Sequence, residues 1–313
     1  MKRFISKKMM AATVLSVAVL LGAGFAGVAN AEPAGQTTTV AVNVQVQQEA
    51  KGTVDWTQGE DSKVVATGIG LPPENAGARG TPLARRAAIV DAYRNLAETI
   101  QGVQVDSDTL MQDLVIQSDT VRAKVSALVK GARILEEGTN PDGSYFVRMS
   151  VPLYGVGNSV AAVAIPEIGT SAAPEPLPKV DVKHTSLPKQ EVKEVRSAGY
   201  TGVIIDASGL GLEATFSPVV YDTNGRAIYG MKNIDPDFAI SKGMVEYASS
   251  KERAVTNSRA GSNPLVLSAV DVKGGRNSVN RVNVVVSVDD GDKILLANEK
   301  SGMLHKCAVV FVK

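Results

Sequence analysis

The stretch TPLARRAAIVDAYRNLAETIQG, residues 81–102, decides the fold of the first half of the chain. Thr81 is a favourable N-cap, Pro82 suits the first helical position, and Gly102 is a typical helix end. Apolar residues recur every three or four positions, as in an amphipathic helix: Leu83, Ala87, Val90, Tyr93, Ala97 and Ile100. The stretch therefore predicts a long helix that buries this stripe.

The segments around this helix predict an α+β domain over residues 62–155. Strand-like alternation precedes it, and a second apolar stripe with Asp108 or Thr109 as cap follows it. The turn residues at 140–143 then join two further strand-like runs. The predicted order is strand, helix, helix, strand, strand, at residues 63–70, 81–101, 109–130, 132–137 and 145–153. This β-α-α-β-β order predicts two helices packed on one face of a small antiparallel sheet.

The first 31 residues have the pattern of a secretory signal peptide. A basic start precedes an apolar run over residues 9–28, and the triplet Ala29-Asn30-Ala31 closes it. We expect cleavage after Ala31, with Glu32 as the new N-terminus and no direct membrane anchor, since no cysteine for lipid attachment follows. The alternative is a retained membrane-spanning anchor, because 20 apolar residues can cross a bilayer.

Two segments without clear periodicity flank the predicted first domain. Residues 32–61 form a leader in which the alternation at 40–46 indicates either a strand or a flexible segment. Residues 156–198 contain Pro166, Pro174, Pro176, Pro178 and Pro188. Such proline density is typical of a semi-extended linker, and we expect a solvated tether there.

The remainder, residues 199–313, predicts a second domain with a mixed α/β sheet. Asn224-Gly225 between two apolar runs is a strong hairpin signal, and Gly225 is expected to have a positive φ. Residues 235–259 are expected to be partly helical. Other strands are predicted at 200–205, 264–272, 282–288 and 306–312, with a short helix capped by Asp289 before the last. This final β-α-β order predicts a parallel pair.

Composition excludes several classes of function. The net charge is +1 and would become about −3 on loss of the four basic residues of the signal segment, too balanced to predict binding to nucleic acid or an anionic membrane. Aromatic residues make up 4%, too few to predict stacking platforms for sugars or bases. Cys307 is the one cysteine, which rules out an internal disulfide, and its apolar surroundings predict burial.

The sequence predicts no catalytic, cofactor or metal site. His184 lies in the predicted linker, and His305 would share a strand face with Cys307. Such a pair is incomplete as a metal site and weak as a catalytic dyad. Two acidic clusters lack the spacing of a calcium-binding loop: Asn233, Asp235 and Asp237; and Asp289, Asp290 and Asp292. Gly209 and Gly211 lack the further residues of a phosphate-binding loop. Asp206 and Glu213 could form an acid–base pair but are equally well explained as surface carboxylates.

Three motifs of the first domain resemble the LPP-twenty (LPP20) family of bacterial envelope lipoproteins. They are the helix ARRAAIVDAY at residues 84–93 after the strand end ATG at 66–68, the stretch VRAKVSALVKGA at 121–132, and the strand at 145–153. The same module is similar to the N-terminal domain of accessory proteins of the flagellar outer-membrane rings. The chain departs from the family because it lacks the lipidated cysteine. Within the motifs we expect fold roles for Arg85 and Asp91.

The second domain is similar to a C-terminal region that often follows this module in envelope proteins of unknown role. The matching residues are Tyr200-Thr201-Gly202, Asp206, Ser217-Pro218, Asn224-Gly225, Asn263-Pro264-Leu265 and Asn298. The resemblance implies no enzymatic activity.

The first expectation is an exported, non-enzymatic protein of the periplasm or cell envelope that acts as an assembly, scaffold or partner-binding component. Its partners would be envelope or outer-membrane proteins, or further copies of itself through sheet edges. The alternatives are a flagellar basal-body accessory protein, a soluble periplasmic module with a ligand between its domains, and a carboxylate-dependent hydrolase.

Overall fold

The computed structural model describes residues 51–57, 59–168, 173–275 and 279–313. The predicted signal peptide, with Ala29, Ala31 and Glu32, lies outside the described residues, as does the alternating run at 40–46.

The first module has the predicted α+β architecture, with one additional strand. Its strands pair in the antiparallel order β1-β2-β4-β3, and α1 packs across one face of this sheet. The elements are β1 (Gly52–Asp55), β2 (Lys63–Gly70), α1 (Gly80–Gln101), α2 (Met111–Gln117), α3 (Asp119–Lys130), β3 (Arg133–Thr139) and β4 (Tyr145–Pro152). The strand β1 falls within the stretch that the sequence assigned to the leader, and it pairs with β2 from Gly52 opposite Ala66 to Asp55 opposite Lys63.

The face that α1 buries differs from the predicted stripe. Leu83 is 43% exposed and Val90 is 68% exposed, so the stripe prediction was wrong at these positions. The buried face of α1 is shifted by about one residue from the predicted stripe, and most of its residues are small. It consists of Gly80, Ala84, Ala88, Ala92, Asn95, Leu96 and Ile100. The reason is the close approach of the sheet, because an added Cβ at Gly68 would lie 2.1 Å from the backbone nitrogen of Ala92. Only small helix residues fit at this distance.

The single helix predicted over residues 109–130 is two helices. Ser118 has extended backbone angles, and its hydroxyl accepts a hydrogen bond from the Val121 amide, so it is the N-cap of α3. The expected caps Asp108 and Thr109 are replaced at the start of α2 by Asp113, whose carboxylate accepts the Leu110 amide. A serine at an N-cap satisfies a helix-end donor, which favours the break.

The expectation of a solvated tether was wrong for much of residues 156–198. Two helices lie there, α4 (Val160–Ala164) and α5 (Lys189–Ser197), and both contribute buried side chains to the hydrophobic core. Leu187, Val192 and Val195 supply enough apolar surface to hold the second half of this segment against the protein.

The second module contains two sheets and the long helix α8, which contacts strands of both. One sheet has the mixed order β10-β11-β6-β7, and the other has the parallel order β8-β12-β5-β9. The elements are β5 (Gly202–Asp206), β6 (Val220–Asp222), β7 (Ala227–Tyr229), α6 (Pro236–Lys242), β8 (Glu246–Ala248), α7 (Lys251–Val255), β9 (Pro264–Ser268), β10 (Asp271–Lys273), β11 (Asn283–Val286), α8 (Val288–Ser301) and β12 (Val309–Val312).

Several predictions for this module are confirmed and three are wrong. The hairpin of β6 and β7 forms, Gly225 has a φ of +82°, and α6 and α7 account for the helical region. The strand predicted at 264–272 is divided between β9 and β10, which lie in different sheets. Strands β11 and β12 also lie in different sheets, so the final β-α-β unit is not a parallel pair, and Ser287, not Asp289, caps α8.

Aromatic side chains join the two modules into a continuous core. The ring of Trp56, next to β1, lies 5.0 Å from that of Phe216 and 6.0 Å from that of Tyr247. Tyr154 also packs edge-on against Phe216, at 5.6 Å. Backbone hydrogen bonds cross the same seam, including one of 3.0 Å from the Ser217 amide to the carbonyl of Val105. The modules are therefore packed against each other and not merely linked.

Candidate interaction surface on the open sheet face

The antiparallel sheet of the first module has two different faces. One face carries Val64, Ala66, Gly68 and Gly70 of β2 and lies under α1. Because side chains alternate along a strand, the intervening residues point to the opposite face. Within the described ranges, no helix packs across that second face. We call it the open face.

Strand register arranges the open face in rows. Ile69 lies opposite Phe146, and the next row contains Thr67 between Lys51 and Arg148. Further rows place Val65 between Thr53 and Ser150, and Lys63 between Asp55 and Pro152. The apolar and cationic side chains therefore lie on adjacent rows of one surface.

We call the rows of Ile69 and Thr67 the upper rows and those of Val65 and Lys63 the lower rows. A groove of about 570 Å³, the upper groove, crosses the upper rows of the open face. Ile69, 54% exposed, and the partly buried Phe146 form its apolar part. Thr53, Thr67 and Asn140 supply hydroxyl and amide groups. Gly138 makes room for the aromatic ring, since an added Cβ there would meet Phe146 at 3.1 Å. A second groove of about 640 Å³ covers the lower rows and is lined by Ser150, Pro152 and residues of both charges.

The cations of the open face have no ion-pair partner in the part of the chain that the structure describes. Within the described residues, Lys51, Lys63, Arg133 and Arg148 form no salt bridge. Other surface arginines of the protein do have carboxylate partners, as Arg85 has with Glu137 at 2.9 Å. Among the residues that line the upper groove, the charged ones are Lys51 and Arg148, and both are positive.

Two stretches of the edge of this sheet, on β2 and on β3, are poorly suited to strand addition. Where β1 ends, side chains of α1 occupy the free edge of β2: Asp91 accepts the Ile69 amide at 3.0 Å, and Asn95 donates to the Thr67 carbonyl at 2.8 Å. At the other edge, the register of β3 shifts around Leu135, which marks a β-bulge. Both devices discourage pairing with another chain. The open face is therefore more accessible to a partner than these edges.

The candidate catalytic residues are not brought together. Cys307 is buried, as predicted, but it precedes β12 and has a φ of +51°, so it does not share a strand face with the exposed His305. Burial raises the pKa of the Cys307 thiol, which keeps it protonated and unreactive. His184 lies at the surface, where its ring contacts Asp181 at 2.7 Å.

The acidic clusters have structural partners. Asp235 caps α6 by accepting the Asp237 amide, and Asn233 accepts the Gly230 amide. Asp292 is buried and binds Arg226 at 2.6 Å, while Asp290 accepts the Ser287 hydroxyl and Asp289 that of Ser186. Asp206 accepts the Ser208 amide, and Gly209 and Gly211 both have positive φ in the turn that follows. In the described part of the chain, no group of three or more potential ligands is placed to hold a metal ion.

The residues that carry the family resemblance hold the fold together. Arg85 makes a two-pronged contact with Glu137 of β3, and Asp91 binds both the β2 edge and Arg94. Arg85 thus connects α1 to β3, and Asp91 connects α1 both to β2 and to its own next turn. The expected fold roles of Arg85 and Asp91 are thus accounted for by geometry.

The sequence predicts three of the four strands of the open face, β2, β3 and β4, but not the surface itself. The signal was present in the alternation, because every second residue of 63–70 and 145–153 must face away from the helix. Ile69, Phe146 and Arg148 occupy such positions. Their grouping with Lys51 depends on β1, which the sequence did not assign to the sheet.

Two family models match this chain. Residues 55–151 match that of the LPP20 lipoprotein, and residues 202–313 match that of the second domain of Tp0624 from Treponema pallidum. A search of curated proteins found no match. None of the described helices has the length and apolar character needed to cross a membrane.

These matches agree with the architecture. The LPP20 match extends from the end of β1 to β4, and the Tp0624 match extends from β5 to the last residue. The first match is to a family of lipoproteins, which agrees with an exported protein of the envelope. The chain carries an LPP20-like envelope module over residues 55–151, followed by a domain similar to the second domain of Tp0624.

Proposed function

We propose that this protein is a non-enzymatic binding component of the cell envelope that holds a partner protein on the open face of its first sheet. The observation that carries the proposal is a groove of about 570 Å³ that holds the exposed Ile69, the partly buried Phe146, and two cations, Lys51 and Arg148, without a salt bridge to any described residue. Exposed apolar surface bordered by polar groups is typical of protein interaction sites.

The arrangement of the two modules supports a scaffold role. Aromatic packing around Trp56 fixes the open face relative to the second module. A partner held on that face would therefore have a fixed position with respect to both modules. Rigid presentation lowers the ordering cost of association.

Crosslinking in native cells tests the proposal. An affinity-tagged full chain is crosslinked mildly, recovered from the envelope and analysed by mass spectrometry, alongside the variants Ile69→Asp and Val90→Asp. Both replace an exposed apolar residue of the first module, but Val90 lies on α1 and not on the open face. We expect the wild type and Val90→Asp to recover the same partner, and Ile69→Asp to lose it.

Two outcomes would contradict the proposal. One is a wild-type chain that crosslinks to nothing, including itself. The other is equal recovery of the partner by the two variants, which would place the interaction elsewhere. Circular dichroism of both variants establishes that a loss of partner is not a loss of folding.

A further inference from the structure

The chemistry of the groove narrows the kind of partner that fits it. This inference rests on the proposed function, because it concerns the occupant of the same open face. Lys51 and Arg148 lie on either side of Thr67 in one row of the sheet. Neighbouring strands are about 4.8 Å apart, so the Cα atoms of the two residues are separated by about 10 Å across the sheet. Ile69 and Phe146 form the adjacent row.

The positive charge of this groove is available to a ligand. Neither Lys51 nor Arg148 forms a salt bridge within the described residues, and no acidic side chain lines the upper groove. The nearest acidic residue in register is Glu136, which lies on β3 beyond Arg148. By contrast, Arg94 and Arg122 on the helical side have carboxylate partners. The upper groove therefore offers two cations, with no acidic side chain among its lining residues, to an external carboxylate.

The remaining lining groups favour a peptide over a lipid. Thr53, Thr67 and Asn140 offer hydrogen-bonding groups along the groove, where an extended peptide backbone needs them. A membrane surface attracts clusters of basic residues together with projecting apolar side chains. This groove has two cations and a recessed floor that includes the buried Val65.

We propose that the open face binds an acidic, extended protein segment in which carboxylates alternate with apolar residues. The carboxylates pair with Lys51 and Arg148, and an apolar side chain packs on Ile69 and Phe146. The free edge of β2 does not take part, because Asp91 accepts its Ile69 amide and Asn95 donates to its Thr67 carbonyl.

Fluorescence polarisation with defined peptides tests the proposal. The probes are three labelled hexapeptides in which valine alternates with glutamate, glutamine or lysine, each added to the purified protein. We expect the glutamate peptide to bind about tenfold or more tightly than the glutamine peptide, and the lysine peptide not to bind. Raising the salt from about 50 to about 300 mM weakens the glutamate complex, because the groove is open to solvent.

Matched charge reversals locate the site. Arg148→Glu is expected to weaken binding of the glutamate peptide at least about tenfold. Arg86→Glu is the control, since Arg86 is an exposed arginine of α1 without a salt bridge in the described part of the chain. Equal affinity of the two variants, or equal binding of the three peptides, would overturn the inference. So would binding to phosphatidylglycerol vesicles with no binding to the glutamate peptide, which would indicate a lipid surface.

The two proposals fail in distinguishable ways. If Ile69→Asp loses the envelope partner while Arg148→Glu retains it, docking on the open face stands and the acidic class is wrong. If both variants retain the partner, the proposed function itself is wrong.

Discussion

Two glycines of β2 set the distance between the first sheet and its helix. An added Cβ at Gly70 would lie 2.0 Å from the Ala84 carbonyl, and one at Gly68 would lie 2.2 Å from that of Ala88. These atoms belong to the helix backbone, which cannot move aside as the end of a flexible side chain can. The space between the helix and the strand therefore leaves no room for a side-chain carbon at these two positions.

Gly68→Ala is expected to lower the free energy of unfolding by about 3 kcal/mol, because overpacking here displaces α1 from the sheet. Urea unfolding followed by circular dichroism measures the change. Gly157→Ala is the control, since an added Cβ at Gly157 meets nothing within 4 Å. It should change the free energy by less than about 0.5 kcal/mol. Equal effects of the two substitutions would contradict this account of the helix–sheet contact.

The same contact explains what the sequence could and could not predict for α1. Its length and its end at Gly102 agree with the prediction, but the N-cap is Arg79, so the prediction of Thr81 as N-cap and Pro82 as first helical residue was wrong. Its buried face does not follow, because a hydrophobicity pattern favours Leu83 and Val90 over alanines. Recognising the alanine face requires knowing that Gly68 and Gly70 lie opposite it. That is tertiary information which no local pattern contains.

At the scale of elements, α5 shows how a proline-rich segment is held in place. Val192 and Val195 are buried, and ion pairs connect Arg196 to Glu299 and Lys293 to Glu191. The prolines correctly indicated interrupted structure. They did not reveal that the short helix after the last of them packs against α8, because nine residues are too few for a periodicity to be convincing.

Docking of α5 should protect it from proteolysis. In the wild-type protein we expect trypsin to cleave slowly at Lys189, Lys193 and Arg196, since a protease needs the chain locally unfolded. Val192→Asp places a charge in the contact and should accelerate cleavage at these sites about tenfold or more. Mass spectrometry of the fragments over time measures the rates.

Gln190→Asp is the matched control for this experiment, because Gln190 is an exposed residue of the same helix. Its cleavage rates should stay near those of the wild type. Rapid cleavage of the wild-type chain at the same three sites would show that α5 is not docked in solution.

For the whole molecule, the aromatic contacts between the modules, which we call the aromatic seam, make the stability of each module depend on the other. Trp56 is the one tryptophan of the chain, and its ring packs against Phe216 and Tyr247 of the other module. Loss of either module would expose these large side chains to water. Exposing one costs about 2 to 3 kcal/mol.

We therefore expect one cooperative unfolding transition. Denaturation curves from tryptophan fluorescence, which reports on the seam, and from far-ultraviolet circular dichroism, which reports on all helices, should coincide. Phe216→Ala should lower the midpoints of both curves together. The free energy of unfolding should fall by about 3 kcal/mol or more. Two separate transitions in the wild type would contradict the coupling.

The seam also predicts loss of stability at high pH. Burial raises the pKa of Tyr154 and Tyr247 well above the ordinary value of about 10. Above about pH 10 the unfolded chain releases these protons and the folded protein does not, so the stabilisation present below that pH is lost as pH rises. Each tyrosine then lowers the free energy of unfolding by about 1.4 kcal/mol per pH unit. Urea unfolding at increasing pH, with tyrosinate absorbance recorded in parallel, measures both changes.

A constant free energy of unfolding between about pH 9 and about pH 11 would contradict this assignment. Tyr247→Phe should flatten the alkaline decline, because phenylalanine has no phenol to ionise.

Cys307 has a practical consequence for every spectroscopic study of this protein. The chain has no other cysteine, and this one is buried with a raised pKa. A thiol-reactive dye or spin label should therefore leave the native protein unmodified. A cysteine introduced at any exposed position becomes a unique attachment point, with no need to remove the natural one. The distance from such a label on the open face to a labelled peptide can then be measured on an otherwise unaltered chain.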